Sequence, residues 1–298
     1  MDGRHEYETD LVVEFTMSAV KRIAKKCLCA CLTRFCGDEQ GLITLTTRTG
    51  PAKGLRFRLD LRPPRMEYAY WYGSYDRRIV QAIAALCRPG WTAWDCGTYL
   101  GYYTCLFARL VGTNGKVVAF EPDRNNLQRT KQNVLLNGFR NVSFEHTAIA
   151  GPSEQIDLLV SQNTNSHLPG VYVGSSLQDY QRIERVDSVL RVRCTSLDDA
   201  YRLHHAPPPN IIKIDIEGAE RIALLYTDYL CREVRPLIVL ELHNPECDRA
   251  AWEWAQNQGY SLKSLDTGSI IMRPEDVHGT LLCSPVVGCK GSCGTECG

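Results

Sequence analysis

The hydrophobic and polar positions divide the chain into a regular central part and two less regular ends. From about residue 77 onwards, short apolar runs alternate with amphipathic segments. The apolar runs predict strands at 91–96, 116–121, 141–147, 211–216, 237–242, 260–265 and 269–273. The amphipathic segments predict helices at 77–87, 101–111, 123–137, 217–230 and 248–258. Near-continuous apolar strands that alternate with helices are typical of an α/β fold with a doubly wound, mostly parallel sheet.

Two other patterns precede this alternation. In the first 36 residues, apolar positions from Val12 to Cys27 recur at intervals of three and four, which predicts an amphipathic N-terminal helix. This helix either packs on the main domain or a partner, or lies on a membrane surface with acylated cysteines. Residues 42–47 and 55–61 then alternate between apolar and polar side chains, which predicts the two strands of a β-hairpin.

One segment inside the regular part follows neither pattern. Residues 151–195 are polar and rich in turn-forming residues. They lie between the third and fourth strands of the predicted main sheet, where a connection can reach the ligand-binding edge. We therefore interpret this segment as an insertion that faces the substrate.

Composition and charge narrow the class of protein. The chain has 298 residues, 44% of them apolar, which is enough to bury one large core. Its 34 basic and 34 acidic side chains cancel, so bulk charge does not favour a nucleic-acid partner. The first residues are acidic, and no apolar stretch reaches the roughly 18 residues that a transmembrane span needs. We expect a cytoplasmic protein with no transmembrane span.

The fourteen cysteines collect mainly near the two ends of the chain. One group lies between Cys27 and Cys36, another between Cys283 and Cys297, and the others are scattered among apolar residues, as is typical of small buried hydrophobes in a reducing compartment. The terminal GCKGSCGTECG is either a metal- or cluster-binding segment, an oxidisable or modified tail, or a disordered one. No cluster with zinc-ligand spacing lies within the sheet motifs, so we predict no metal there.

These patterns divide the chain into three parts. Residues 1–40 form an N-terminal helical segment that is Cys-rich at its end, 41–278 form the main domain, and 279–298 form a Cys/Gly-rich tail.

The first candidate site is the turn between the predicted strand 91–96 and the following helix. Asp95, Gly97 and Gly101 have the spacing Asp-x-Gly-x-x-x-Gly, which lacks the middle glycine of the dinucleotide fingerprint. The missing glycine disfavours NAD, and the acid that opens the turn disfavours a phosphate. A positively charged ligand, such as an ammonium or a sulfonium, fits better. The alternative is a glycine turn that serves only close helix packing.

Two further acids follow strands. Glu121 ends the strand after the glycine turn, where a carboxylate can accept both ribose hydroxyls of an adenosine. Asp215 lies near the carboxyl end of the fourth main strand and would be costly to bury unpaired, so we expect it to be functional. Glu217 and Glu220, which follow it, also have a simple explanation as acids that complement a helix N-terminus.

Several of these motifs together resemble one known family. The strings DCGTYLGYYT, VVAFEPDRNN, LLNGFRNV, TSLDD, PLIVLEL and above all IIKIDIEGAE are similar to those of the FkbM-type S-adenosylmethionine-dependent methyltransferases. The resemblance covers roughly residues 66–245. It implies a class I, Rossmann-like methyltransferase fold, with a seven-stranded sheet whose last strand is antiparallel. It also implies S-adenosyl-L-methionine as cofactor, and usually O-methylation of hydroxyls on small molecules or sugars.

The resemblance implies roles for individual residues. Asp95, Gly97 and Gly101 would line the methionine end of the cofactor, and Glu121 would bind its ribose. The adenine would lie near the segment from His146 to Ala148.

The sequence departs from the family pattern between the two glycines. The family commonly has Ala-Asn there, whereas this chain has Thr98-Tyr99. Tyr99 is bulkier than Asn, so we expect it to reshape the methionine pocket.

The resemblance places Asp215 at the reacting centre, where it would position or deprotonate the acceptor. His243, just after the fifth strand, is the alternative base, or else a structural histidine. We therefore expect O-methylation of a small-molecule acceptor. The alternative is a non-catalytic adaptor that keeps the fold and binds through its Cys-rich termini. Methylation of amino groups or nucleic-acid bases is less favoured, because no Asn/Asp-Pro-Pro-aromatic string follows the fourth strand.

Overall fold

The structure is a computed structural model that describes residues 34, 36–62, 67–152, 155–160, 171–173, 188–203 and 206–286. The predicted N-terminal helix and the last three cysteines of the predicted tail lie outside these residues. The strands are β1 (Ile43–Thr46), β2 (Arg56–Leu59), β3 (Thr92–Cys96), β4 (Lys116–Phe120), β5 (Val142–Glu145), β6 (Ala148–Ile149), β7 (Gln155–Val160), β8 (Val171–Val173), β9 (Ser188–Thr195), β10 (Ile211–Ile214), β11 (Leu237–Glu241), β12 (Tyr260–Ser264) and β13 (Thr280–Pro285). The α-helices are α1 (Tyr68–Tyr72), α2 (Arg77–Leu86), α3 (Tyr102–Val111), α4 (Arg124–Leu136), α5 (Leu197–Arg202), α6 (Glu220–Leu224), α7 (Asp228–Glu233) and α8 (Pro245–Gln258).

The main sheet confirms the predicted fold class. Its seven strands lie in the order β12-β13-β11-β10-β3-β4-β5. The pairings among β11, β10, β3, β4 and β5 are parallel, and β13 is antiparallel to both of its neighbours. This is the doubly wound, mostly parallel seven-stranded sheet that the resemblance implies, with the strand nearest the C-terminus antiparallel. Its strand order reverses between β3 and β10, so the turns that follow these two strands border the crevice where such sheets bind ligands.

Both faces of this sheet are covered, because successive strand residues point to opposite sides. Trp94 of β3 belongs to the core formed with α5, α6, α7 and α8. Its neighbour Ala93 belongs to the second core, formed with α2, α3 and the hairpin strands. Trp94 is fully buried, and its indole donates a hydrogen bond to the carbonyl of Pro207 at 3.0 Å. Helices on both faces explain why the strand sequences are apolar almost throughout.

The predicted hairpin is present, and the insertion forms a small sheet of its own. β1 and β2 pair antiparallel, from Ile43 opposite Leu59 to Thr46 opposite Arg56. In the insertion, β7 pairs antiparallel with β8 and with β9, and β9 pairs parallel with β6. Leu158 of β7 is buried.

The prediction of a closing strand at 269–273 is wrong. Within that range only Ile270 makes a bridge, to Lys263. Ile270 and Met272 are 67% and 75% exposed, whereas Ile271 between them is buried in the core, so the run packs one side chain without pairing as a strand. The seventh strand is β13, and it lies between β11 and β12. The predicted tail therefore begins inside the sheet, and Cys283 is fully buried there.

The predicted single helix at 217–230 is instead two short helices, α6 and α7. Thr227 lies between them and is fully buried. Its hydroxyl donates to the carbonyl of Leu224 at 2.9 Å and accepts from the indole of Trp254 at 2.7 Å. A buried hydroxyl needs such partners, and satisfying them breaks the helix at this point.

Leu281→Ala should lower the free energy of unfolding by about 2–5 kcal/mol, because Leu281 is fully buried in β13 and its truncation leaves a cavity. Met272→Ala, in the exposed run, should change it by no more than about 0.5 kcal/mol. Urea unfolding measures both values. Equal effects would contradict the assignment of β13 as the closing strand.

Candidate active site

The turn that follows β3 lies directly against the end of β10. The backbone amide of Asp215 donates to the carbonyl of Cys96 at 3.0 Å, and that of Gly97 donates to the carbonyl of Phe120 at 3.0 Å. Gly97 has φ +87°, and a Cβ there would lie 1.9 Å from the carbonyl oxygen of Asp215. Both the conformation and the contact therefore require glycine.

Tyr99 ties this turn to its surroundings on two sides. Its backbone amide donates to the Glu121 carboxylate at 2.9 Å, and its hydroxyl donates to Glu67 at 2.9 Å. Glu67 is fully buried and also forms an ion pair with Arg129 at 2.7 Å. The residue that departs from the family pattern is thus anchored by a buried carboxylate that sequence reasoning did not find. Nothing in the local pattern around Glu67 indicated this pairing.

Gly101 serves helix packing. It has φ +84° at the start of α3, and a Cβ there would lie 2.8 Å from Cγ2 of Thr130 on α4. The sequence left two interpretations of this turn open, a ligand-binding turn and a glycine turn for close helix packing. For Gly101, the contact between α3 and α4 supports close helix packing.

Asp95 is fully buried behind the turn. Its Oδ2 accepts a hydrogen bond from the Thr104 hydroxyl at 2.5 Å. Its Oδ1 has no hydrogen-bond partner among the residues that the structure describes. Burial raises the pKa of Asp95 to about 6. A buried carboxylate with an unpaired oxygen favours positive charge in its neighbourhood.

A cleft opens beside this turn, with about 720 Å³ of empty space when its mouth, which is open to solvent, is included. The lining residues are Tyr75, Gly97, Tyr99, Phe120, Glu121, Pro122, Asn126, Ala148, Ile149, Leu158, Asp215, Ile216 and Glu217. Of the predicted cofactor residues, Asp95, Gly101 and His146 are not among them.

One half of the cleft joins a carboxylate to apolar side chains. Glu121 is buried and accepts from the amides of Tyr99 and Asp123 at 2.9 and 3.0 Å. Burial raises the pKa of Glu121 to about 7. Ala148 and Leu158 contribute apolar surface nearby. This half offers an acceptor for hydroxyls beside an apolar surface for a ring.

His146 does not line the cleft, although its ring contacts a residue that does. Its side chain is exposed, and Nε2 lies 3.0 Å from the carbonyl oxygen of Pro122. Leu158 takes part in the lining, although it lies on the insertion and no local motif identified it. Asn126, in the first turn of α4, also lines the cleft and stands near the Glu121 motif in sequence.

The other half of the cleft carries charge. The Asp215 carboxylate pairs with the ammonium of Lys213 at 2.8 Å. Lys213 is 1% exposed, lies 3.6 Å from Glu241 and has its Nζ 4.5 Å from the ring centroid of Tyr103. Burial would raise the pKa of Asp215, but the positive charges of Lys213 and His243 hold it below its usual value. Asp215 is therefore ionised at neutral pH.

His243 is surrounded by carboxylates. Its Nδ1 lies 2.9 Å from fully buried Glu220, and its Nε2 lies 3.5 Å from Asp215 and 3.6 Å from Glu217. Burial alone would lower the pKa of His243, but the hydrogen bond and charge of Glu220, with the other two acids, raise it to about 10. An imidazolium at neutral pH has no lone pair to accept a proton, which argues against the predicted role of His243 as base.

Glu220 also accepts hydrogen bonds from the backbone, from the amides of Gly218 at 3.1 Å and Ile216 at 3.3 Å. These bonds match its interpretation as an acid that satisfies amides at a helix start.

Asp215, Glu241 and His243 each place one ligand atom within 4.8 Å of the others. The two carboxylates already face the Lys213 ammonium, and protonated His243 faces Asp215. Their charge is therefore met by cations of the chain itself, and we assign no metal to them.

A family model described as "Methyltransferase FkbM domain" matches residues 95–262, more than half of the 298 residues. The chain belongs to the FkbM methyltransferase family. The predicted family is thereby confirmed, and with it S-adenosylmethionine as cofactor and methyl transfer as the reaction class. The cleft of this FkbM protein suits that cofactor, because its lining combines the buried Glu121 carboxylate and the partly buried Asp215 and Glu217 with apolar residues.

Several solved structures are similar to this FkbM protein. An FkbM methyltransferase from Methylobacillus flagellatus is 18% identical, covering 75% of this chain and 55% of that one at a TM-score of 0.39. A SAM-dependent O-methyltransferase from Thermotoga maritima is 12% identical, and the match covers 69% of this chain and 63% of that one at a TM-score of 0.40. An rRNA methylase from Streptococcus thermophilus is 14% identical, and the match covers 71% of this chain and 98% of that one at a TM-score of 0.40. A search of curated proteins found no match.

Within the described part of the FkbM protein, every helix is too short or too polar to span a membrane.

Gly97→Ala should abolish binding of S-adenosylhomocysteine in calorimetric titration, because the added Cβ pushes the turn away from Asp215. Gly54→Ala is the matched control: Gly54 has φ +89° but no atom within 4 Å of an added Cβ. The control should lose about 1 kcal/mol of stability and keep its affinity. Equal affinities of the two variants would contradict the role of this contact.

Proposed function

We propose that the protein is an O-methyltransferase that transfers the methyl group of S-adenosylmethionine to a hydroxyl on a small molecule, sugar or natural product. One observation carries the proposal. Two carboxylates, Asp215 and Glu217, line the charged half of the cleft, next to the glycine turn. A hydroxyl acceptor needs a group that takes its proton, and carboxylates at this edge supply it.

The residues of the cleft suggest how the cofactor is held. The backbone around Gly97 and Tyr99 would hold its methionine end, and Glu121 would accept hydrogen bonds from its ribose hydroxyls. Ala148 and Leu158 would contact its adenine. When bound, the cofactor supplies a methyl group already activated on a positively charged sulfur. The protein's remaining task is to align the acceptor and accept its proton.

The charges of the cleft also suit a sulfonium. Asp215 and Glu217 face the cavity, and fully buried Asp95 lies behind the turn. A positive ligand gains from these carboxylates, whereas a polyphosphate would be repelled. The zero net charge of the whole chain likewise supports a small acceptor over an RNA.

Calorimetric titration tests cofactor binding. S-adenosylhomocysteine should bind with a stoichiometry of one, and Glu121→Gln should weaken it about 10- to 100-fold, because a charged acceptor of ribose hydrogen bonds is lost. Glu233→Gln, on the exposed end of α7, is the control and should bind like the wild type. A wild-type protein that binds none of this ligand would favour the adaptor alternative.

Transfer of radiolabelled methyl groups tests the acceptor class. A panel of neutral sugars, phenols, primary amines and a short RNA should show label only on hydroxyl-bearing small molecules. Label on the amines or on the RNA bases alone would contradict O-methylation.

A further inference from the structure

Resting on the proposed function, we infer that Glu217 is the catalytic residue that accepts the acceptor's proton, and that Asp215 and His243 are positioning residues. The sequence offered only a helix-capping role for Glu217. Three features of its surroundings carry the inference: its place in the cleft, its backbone conformation and the commitments of its neighbours.

Glu217 reaches the cleft through an unfavourable backbone conformation. It lines the cavity with Asp215 and Ile216, and its φ is +53°, in the left-handed region. For a residue other than glycine, asparagine or aspartate this conformation costs roughly 1–2 kcal/mol. Strain of this kind persists where the surrounding structure enforces it, and it concentrates at functional sites. Here it turns the chain between β10 and α6, at a residue that lines the cavity.

The two neighbouring candidates for the proton acceptor, Asp215 and His243, already interact with other charged groups. The Asp215 carboxylate forms an ion pair with Lys213 at 2.8 Å, which makes it a weak proton acceptor. The imidazole of His243 has Nδ1 on Glu220 at 2.9 Å. Its Nε2 carries a proton and faces Asp215 and Glu217.

Glu217 is less closely paired with a cation than Asp215 is. Among the described residues, no group donates a hydrogen bond to its carboxylate, and the nearest cation is His243 at 3.6 Å. The charged groups that face it are Asp215 and Lys213 from β10 and its end, Glu220 from α6, and His243 after β11. Burial and the charge of Asp215 raise the pKa of Glu217 to about 7. A base with that pKa is well matched to proton transfer near neutral pH.

The chemistry balances with this one base. A lone pair of the acceptor oxygen forms the new O–C bond, while the C–S bond breaks and its electron pair goes to sulfur. The hydroxyl proton passes to the Glu217 carboxylate and then to solvent. No oxidant, reductant or metal is needed.

The test compares two ligands in calorimetric titrations from pH 5.5 to 8. Sinefungin is a cofactor analogue that carries an amine at the position of the reactive methyl, whereas S-adenosylhomocysteine has a neutral sulfur there. As Glu217 ionises near pH 7, the preference for sinefungin over S-adenosylhomocysteine should rise about tenfold. Because Glu121 contacts a part that both ligands share, its titration cancels in this ratio.

Variants distinguish the contribution of Glu217 to the pH step from that of Asp215. Glu217→Gln should bind S-adenosylhomocysteine normally and show no pH step in the ratio. Asp215→Asn should keep the step but move it to lower pH, because removing the negative charge lowers the pKa of Glu217. Glu233→Gln should reproduce the wild-type curve.

A pH step that survives in Glu217→Gln would overturn the inference, and so would a flat ratio in the wild-type protein, whatever the variants do. In both cases cofactor binding, on which the proposed function depends, is retained, and label transfer to hydroxyls tests that function separately. If neither ligand binds the wild type, the proposed function fails and this role fails with it.

Discussion

The contact between the turn after β3 and the end of β10 is the constraint on which the site depends. At this point an added Cβ on Gly97 would lie 1.9 Å from the Asp215 carbonyl oxygen, and the Asp215 amide is bonded to Cys96. Because the two strands are adjacent and parallel, their carboxyl ends meet at one edge. The close contact brings the glycine turn and the carboxylates of Asp215 and Glu217 to the same cleft.

The charged surroundings of Asp215 and Glu217 give these two carboxylates different pKa values. Lys213 is a buried cation and His243 is a partly exposed one, and burying a cation is costly unless acids compensate it. Lys213 lies against Asp215 and Glu241, while His243 lies against Glu220, Asp215 and Glu217. The two cations lower the pKa of Asp215, whereas burial and the negative charge of Asp215 raise the pKa of Glu217 to about 7. Two neighbouring acids with pKa values pushed apart are a common sign of divided roles in a site.

The sequence predicted the parts of the fold that depend on local patterns. Apolar strands and amphipathic helices repeat regularly through the main sheet, so its class followed from periodicity. Where a tertiary contact overrides the pattern, prediction failed. The apolar run at 269–273 predicts a strand, but only Ile270 makes a bridge there, and buried Thr227 divides a helix that periodicity predicts to be continuous.

The residues of the site likewise divide into those that local sequence patterns indicate and those that only tertiary contacts bring in. Gly97, Glu121 and Asp215 stand directly after strands, so their position in sequence indicated their place at the sheet edge. The Glu67 partner of Tyr99 and the cleft residue Leu158 come from distant segments, and no local spacing indicates such contacts. The protonation of His243 depends on three acids from two other elements, which only the folded arrangement brings together.

A crystal structure with S-adenosylhomocysteine bound would show directly which residues hold each part of the cofactor. We predict ribose hydroxyls on the Glu121 carboxylate, adenine against Ala148 and Leu158, and the sulfur facing Asp215 and Glu217. A ligand bound in the opposite direction, or a sulfur remote from both carboxylates, would contradict this prediction.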